Sequence, residues 1–101
     1  MRVMVFFDLP TETTENRRDY ARFRRSLIKS GFIMIQESVY CRMLINPQAG
    51  QMVINTIRQN RPPHGIVQVM MITEKQFSKI EMITGSYQTE VLTGDERLVF
   101  I

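Results

Sequence analysis

The chain has 101 residues, 44% hydrophobic and 23% charged, which is enough for one core and too little for two. One cysteine, Cys41, and one histidine, His64, exclude an internal disulfide, and also exclude a soft-ligand zinc site within one protomer, since that needs about four such groups. The net charge of +3 favours an anionic partner only weakly, but Arg17, Arg18, Arg22, Arg24, Arg25 and Lys29 all fall in one short segment.

A core this small, with no disulfide framework or metal cluster to reinforce it, makes association into a dimer an expected source of stability. The apolar run within Met1 to Asp8 is far shorter than a signal or membrane segment. A cytoplasmic protein with no membrane partner is therefore expected.

Val3 to Phe7 is a continuous apolar run closed by Asp8-Leu9-Pro10, which predicts a central strand buried on both faces and stopped by proline. Thr13 or Thr14 can cap the helix that follows, Glu15 suits its positive first turn, and Ser30-Gly31 supplies a left-handed stop, so the helix is placed over residues 14–30. Phe32 to Ile45 is rich in β-branched and aromatic residues around a polar Gln36-Glu37-Ser38, which reads as two strands with a tight turn or as one bent strand. Asn46-Pro47 then looks like an N-cap with proline in the first helical position, and Ala49, Met52, Val53, Thr56 and Ile57 form one stripe. That second helix ends before Arg61-Pro62-Pro63. Gly65 to Ile72 is again a buried-strand pattern, and Thr73-Glu74-Lys75-Gln76 carries a capping-box signature for a short third helix through Phe77 and Ile80.

The order strand, helix, strand, strand, helix, strand predicts a single α+β domain over residues 1–101, a ferredoxin-like βαββαβ fold with an antiparallel sheet and both main helices on one face. Arg97, Leu98, Val99, Phe100 and Ile101 predict one additional C-terminal strand. It has no obvious place in that topology and is expected to extend the sheet of a second protomer.

At about 100° per residue, Arg18, Arg22, Arg25 and Lys29 share an arc of roughly 60°, with Tyr20, Phe23 and Leu27 centred opposite. Like charges at spacings of three and four repel, whereas a helix selected for stability alone more often alternates its signs. The stripe is either a solvated outer face or a contact for a phosphate backbone, and the second reading relieves the repulsion. Because one helical turn rises about 5.4 Å, comparable with the spacing of phosphates along a strand, such contacts follow a backbone without reading bases.

Asp8 should emerge at the carboxyl edge of the central strand. Two readings stand side by side: a turn residue bonding backbone amides near Pro10, or a hard oxygen ligand for Mg²⁺. One carboxylate makes a weak metal site, and two meeting across a dimer axis make a better one. Thr11 and Ser38 are other polar groups at that edge, with no histidine or lysine base nearby in sequence, and His64 between Pro63 and Gly65 reads as a loop residue.

Several motifs occur in register with one family: Met4-Val5-Phe6-Phe7-Asp8-Leu9-Pro10, then Arg22-Phe23-Arg24-Arg25-Ser26-Leu27, then Gly31-Phe32 with Gln36-Glu37-Ser38-Val39-Tyr40, and finally Thr73-Glu74-Lys75-Gln76-Phe77. Over nearly its whole length the chain resembles the second CRISPR-associated protein family, the small subunit of spacer-acquisition complexes, and particularly the members that accompany the Cas-nine type of effector. The resemblance implies a ferredoxin-like homodimer whose last strand crosses to the partner and which sits between two dimers of the integrase. It also makes Asp8 the metal-binding aspartate facing its symmetry mate. Family members have been assigned metal-dependent endonuclease activity on RNA or duplex DNA, and in the integration complex they act mainly as a scaffold spanning the incoming DNA. Many members continue past the last strand with a tail that contacts the integrase; this sequence ends at Ile101.

The reading these observations support first is a scaffold that binds duplex DNA through Arg17, Arg18, Arg22, Arg24, Arg25 and Lys29, and bridges integrase dimers. The second is a Mg²⁺-dependent phosphodiesterase with paired Asp8 residues as its catalytic and metal-binding group. The third is a regulatory module of the same fold that binds a metabolite, against which the basic stripe argues.

Overall fold

The computed structural model describes residues 1–85, and the expected strand over Arg97–Ile101 lies outside them. The first strand, β1, spans Arg2–Asp8. Its alternation sends Val3, Val5 and Phe7 into the core and Met4, Phe6 and Asp8 to the opposite face. Pro10 shortly follows; it lacks the N–H that would continue a ladder.

Helix α1, Thr14–Lys29, opens on a complete capping box. Of the two threonines that could cap it, Thr13 does so: its hydroxyl accepts from the Asn16 amide at 2.9 Å, and the Asn16 side-chain oxygen accepts from the Thr13 amide at 3.3 Å. At the other end Gly31, at φ +91°, turns the chain left-handed. The Phe32 amide then donates to the Leu27 carbonyl and the Gly31 amide to the Ile28 carbonyl, both at 3.0 Å, closing the helix as a Schellman motif. Phe23 and Leu27 are its buried residues.

The segment after the helix forms two strands, β2 over Ile33–Gln36 and β3 over Val39–Met43, with a bulge between Met34 and Gln36. Ser38 takes φ +74° in the turn between them, and its carbonyl accepts from the Phe7 amide at 3.0 Å. Asn46 caps the next element and Pro47 leads it as expected, but the chain enters through a 3-10 turn, Pro47–Ala49, before helix α2, Gly50–Gln59. On α2, Val53 and Ile57 reach the core while Met52 is 72% exposed, so the stripe inferred from the sequence is narrower in the fold.

Strand β4, Ile66–Ile72, completes a four-stranded antiparallel sheet in the order β2-β3-β1-β4. With Val53 and Ile57 in the same cluster as Phe23 and Leu27, both long helices cover one face, and the fold is ferredoxin-like. One expectation is overturned here. The apolar run of β4 is not buried, since each of its residues is exposed or half-exposed. Among the described residues the strand is an edge, with α2 over one face only, and the sequence pattern misled because the other face is apolar too. On that face Met43 and Ile66 are each 57% exposed, Met70 51% and Ile33 47%, while Met4 and Cys41 at its centre are buried.

The short helix α3, Glu74–Phe77, begins on the expected capping box, with the Gln76 amide donating to Thr73 at 3.0 Å, but it stops before Ile80. It is tied to the start of β1. Arg2 donates through Nε to both Glu74 carboxylate oxygens at 3.0 and 3.1 Å, and its guanidinium lies 3.9 Å from the Phe77 ring centre. Burial pulls the Arg2 pKa down, but the hydrogen bonds to Cys41 and Glu74 outweigh it and hold the group above its ordinary value.

Candidate nucleic-acid interface and the Asp8 edge

The helix register predicted from sequence is realised. Arg18, Arg22, Arg25 and Lys29 are exposed, and Phe23 and Leu27 point into the core. Within this stripe the only ion pair among the described residues joins Arg22 to Asp19 at 3.6 Å. An exposed pair of this kind is worth about 0.3–0.5 kcal/mol, too little to neutralise the face. Two arginines of the same segment do other work. Arg17 donates to the backbone carbonyls of Thr11 at 3.0 Å and Glu12 at 3.3 Å, bracing the loop that leads from Asp8 to the helix. Arg24 donates through Nε to the Tyr40 hydroxyl at 2.8 Å. On the helical wheel both lie more than about 100° from the centre of the stripe. Elsewhere, Arg42 donates to the Ser30 carbonyl at 2.7 Å and caps the end of α1.

Asp8 is exposed at the carboxyl end of the central strand and enters no ion pair among the described residues. The strand end that carries it is held rigidly. Phe7, the residue before it, packs edge-on against Phe23 at 5.2 Å and Tyr20 at 6.0 Å and lies tilted against Tyr40 at 5.6 Å, contacts worth roughly 0.5–1.5 kcal/mol each. On the other flank Asp8 pairs with Ile66 at the start of β4. There Gly65, at φ +92°, passes so close that a Cβ would meet the Asp8 carbonyl oxygen at 2.7 Å and the Leu9 side chain at 2.7 Å. Sequence reasoning missed this role for Gly65; a glycine after Pro-Pro-His at a strand start was the available signal.

The strand alternation puts the Asp8 carboxylate on the open, apolar sheet face rather than among the helices. No group of three or more histidine, cysteine, aspartate or glutamate residues is suited to a metal among the described residues. A single protomer therefore offers Mg²⁺ one hard oxygen ligand at this edge, which does not make a site, whereas two copies of Asp8 brought together would fit the ion.

These features define the class: a small ferredoxin-like α+β protein with a cationic helix face, an open apolar sheet face and an exposed aspartate at the end of its central strand. Residues 1–80 match the family described as CRISPR associated protein Cas2. The chain is 52% identical over 101 residues to a protein of Treponema denticola, covering all of both chains, and 40% identical to one of Streptococcus mutans, covering all of this chain and 93% of the other. Each of these relatives bears the name CRISPR-associated endoribonuclease Cas2. The crystal structure of Streptococcus pyogenes Cas2 superposes with a TM-score of 0.63 at 18% identity, covering 83% of this chain and all of that one, a likeness of fold. The chain belongs to the Cas2 family of CRISPR-associated proteins. No helix among the described residues is long and apolar enough to cross a membrane.

Proposed function

We propose that the protein is a symmetric homodimer that holds duplex DNA and bridges integrase dimers during insertion of new spacers into a CRISPR array, in the cytoplasm. The observation that carries this reading is the exposed stripe of Arg18, Arg22, Arg25 and Lys29, four cations with one acid beside them. Such a surface attracts any phosphate backbone and specifies no base. The open sheet face supports the dimer: an apolar patch of this kind on a small domain marks an association surface. The segment Arg97–Ile101 fits the same reading as a strand donated to the partner, since the outer edge of β4 is unpaired among the described residues.

The test is co-purification with the integrase, followed by an integration assay. Wild-type protein, the Asp8→Asn variant and a chain lacking residues 97–101 are compared. The scaffold reading expects Asp8→Asn to integrate normally and the truncated chain to lose dimer and integrase binding together. Loss of integration by an intact Asp8→Asn complex would overturn it.

A second reading is favoured by the position of Asp8 and by the name its relatives carry: a Mg²⁺-dependent endonuclease acting on RNA or DNA. In it, Asp8 and a second Asp8 from the symmetry-related copy hold the ion between the two open faces. The metal would activate water and stabilise the departing oxygen. What the chain itself supplies is an exposed carboxylate on a strand end whose backbone is packed by Phe7 and Gly65, and a cationic helix that binds the strand. Cleavage that requires Mg²⁺ and disappears in Asp8→Asn supports this activity; no cleavage at any metal concentration removes it.

A further inference from the structure

The groove between α1 and the outer strand β2 is not used by the duplex surface proposed above. It has a volume of about 560 Å³ and is lined by Tyr20 and Arg24 of α1, by Met34, Gln36 and Glu37 of β2 and the turn after it, and by Tyr40, the cross-strand partner of Met34. That lies within the size range of small-ligand sites and is far too small for a double helix. Arg24 in it is fixed. Its Nε–H is committed to the hydroxyl of Tyr40, a residue 1% exposed and packed on Phe7, while Nη1 and Nη2 make no hydrogen bond among the described residues. A guanidinium anchored through one N–H and offering the others is preorganised for a phosphate.

The remaining lining suits a base. Tyr20 is half-buried against Phe7 and gives the groove an aromatic surface, and Met34, 38% exposed, gives it an apolar one. Gln36 and Glu37 are exposed at the rim and supply an amide and a carboxylate, groups that meet the amino and imino hydrogens of base edges. An extended peptide fits less well. The neighbouring edge strand is four residues long and bulged, so it offers a short, irregular ladder for strand addition and leaves the arginine and tyrosine unused.

We infer that this groove is a subsite for one unpaired nucleotide of the nucleic acid carried on the basic stripe of the same helix, reached around the side of α1 that carries Arg24. Arg24 takes its phosphate, its base stacks on Tyr20 and packs on Met34, and Gln36 and Glu37 contact the base edge. The inference rests on the nucleic-acid-binding reading and adds to it a preference for strands with an unpaired end or a bulge.

The experiment compares the affinity of the full-length dimer for a blunt duplex and for the same duplex with a one-nucleotide overhang carrying 2-aminopurine, at one salt concentration. Deoxy and ribo overhangs are run in parallel, and a gain with either supports the subsite and identifies the strand chemistry it takes. Since stacking a base on an aromatic side chain changes affinity by about tenfold, the overhang should bind about tenfold more tightly than the blunt end, with quenched 2-aminopurine fluorescence. Tyr20→Leu and Arg24→Gln should bring that ratio close to one. Glu37→Ala, at the exposed rim and outside the core, should lower it several-fold and serves if either of the others unfolds. Substituting the stripe arginines should weaken both probes and leave the ratio unchanged. A ratio of one for wild type with clear blunt-duplex binding overturns the subsite alone. Absence of binding to both probes overturns the nucleic-acid reading and the subsite with it.

Discussion

Replacing Arg18, Arg22 and Arg25 together by glutamine removes three of the four cations of the exposed stripe and leaves Lys29. Each phosphate neutralised on duplex DNA contributes a slope of about −0.9 to log affinity against log salt, so four contacts give about −3.6 per engaged protomer and the variant about −0.9. Between 50 and 200 mM salt, wild type should lose about 150-fold in affinity and the variant about three- to fourfold. The fold should survive, because these side chains lie opposite Phe23 and Leu27 and the one ion pair lost, Arg22 with Asp19, has its arginine 66% exposed. At about 0.3–0.5 kcal/mol that pair corresponds to a melting shift of about 4 °C at most in a domain of this size. The assay is fluorescence anisotropy with two unrelated duplexes across a salt series, with circular dichroism to confirm helix content. An unchanged slope would refute the phosphate contacts and leave the stripe a solvated face. A loss confined to one duplex would refute the claim that it reads no bases.

Three other outcomes follow from the same geometry. Asp8→Asn should abolish any Mg²⁺-dependent cleavage while leaving the melting temperature within a few degrees of wild type, because the side chain is exposed; retained cleavage, followed on labelled RNA and DNA, would remove Asp8 from the chemistry. Met70→Lys puts a charge in the middle of the open face of β4, so sedimentation should show monomer where wild type is dimeric, with unchanged circular dichroism; a persistent dimer would move the interface elsewhere. Gly65→Ala forces a Cβ into a left-handed residue against the Asp8 carbonyl, and should cost at least about 1–2 kcal/mol in urea unfolding. An unaltered midpoint would show that the crossing behind Asp8 relaxes freely.

Much of this protein is legible in its residues because the local signals agree. Gly31 and the Thr73–Gln76 box mark element ends through bonds a few residues apart and appear in the structure as read, Thr13 is the cap of the two candidates, and Asn46-Pro47 opens a 3-10 turn ahead of α2 rather than α2 itself. The cationic stripe was equally accessible, since helical periodicity alone sets Arg18, Arg22, Arg25 and Lys29 on one side. What periodicity does not reveal is whether an apolar run has a neighbour on each face. Strand β4 therefore read as buried although among the described residues it forms an edge with one face open.

The local sequence, then, determined most of the elements and their ends, the face that α1 buries and the strand end that carries Asp8, all of which depend on groups within a few turns of one another. Only the tertiary structure decided which arginines are tied to distant groups, since Arg24 meets Tyr40 across 16 positions and Arg42 meets Ser30 across 12. It also decided that Gly65 presses against Asp8 and that Phe7 sits among Tyr20, Phe23 and Tyr40. Such contacts are made when sheet pairing brings distant segments together, and the order in which strands pair is a property of the whole chain's packing rather than of any stretch of it.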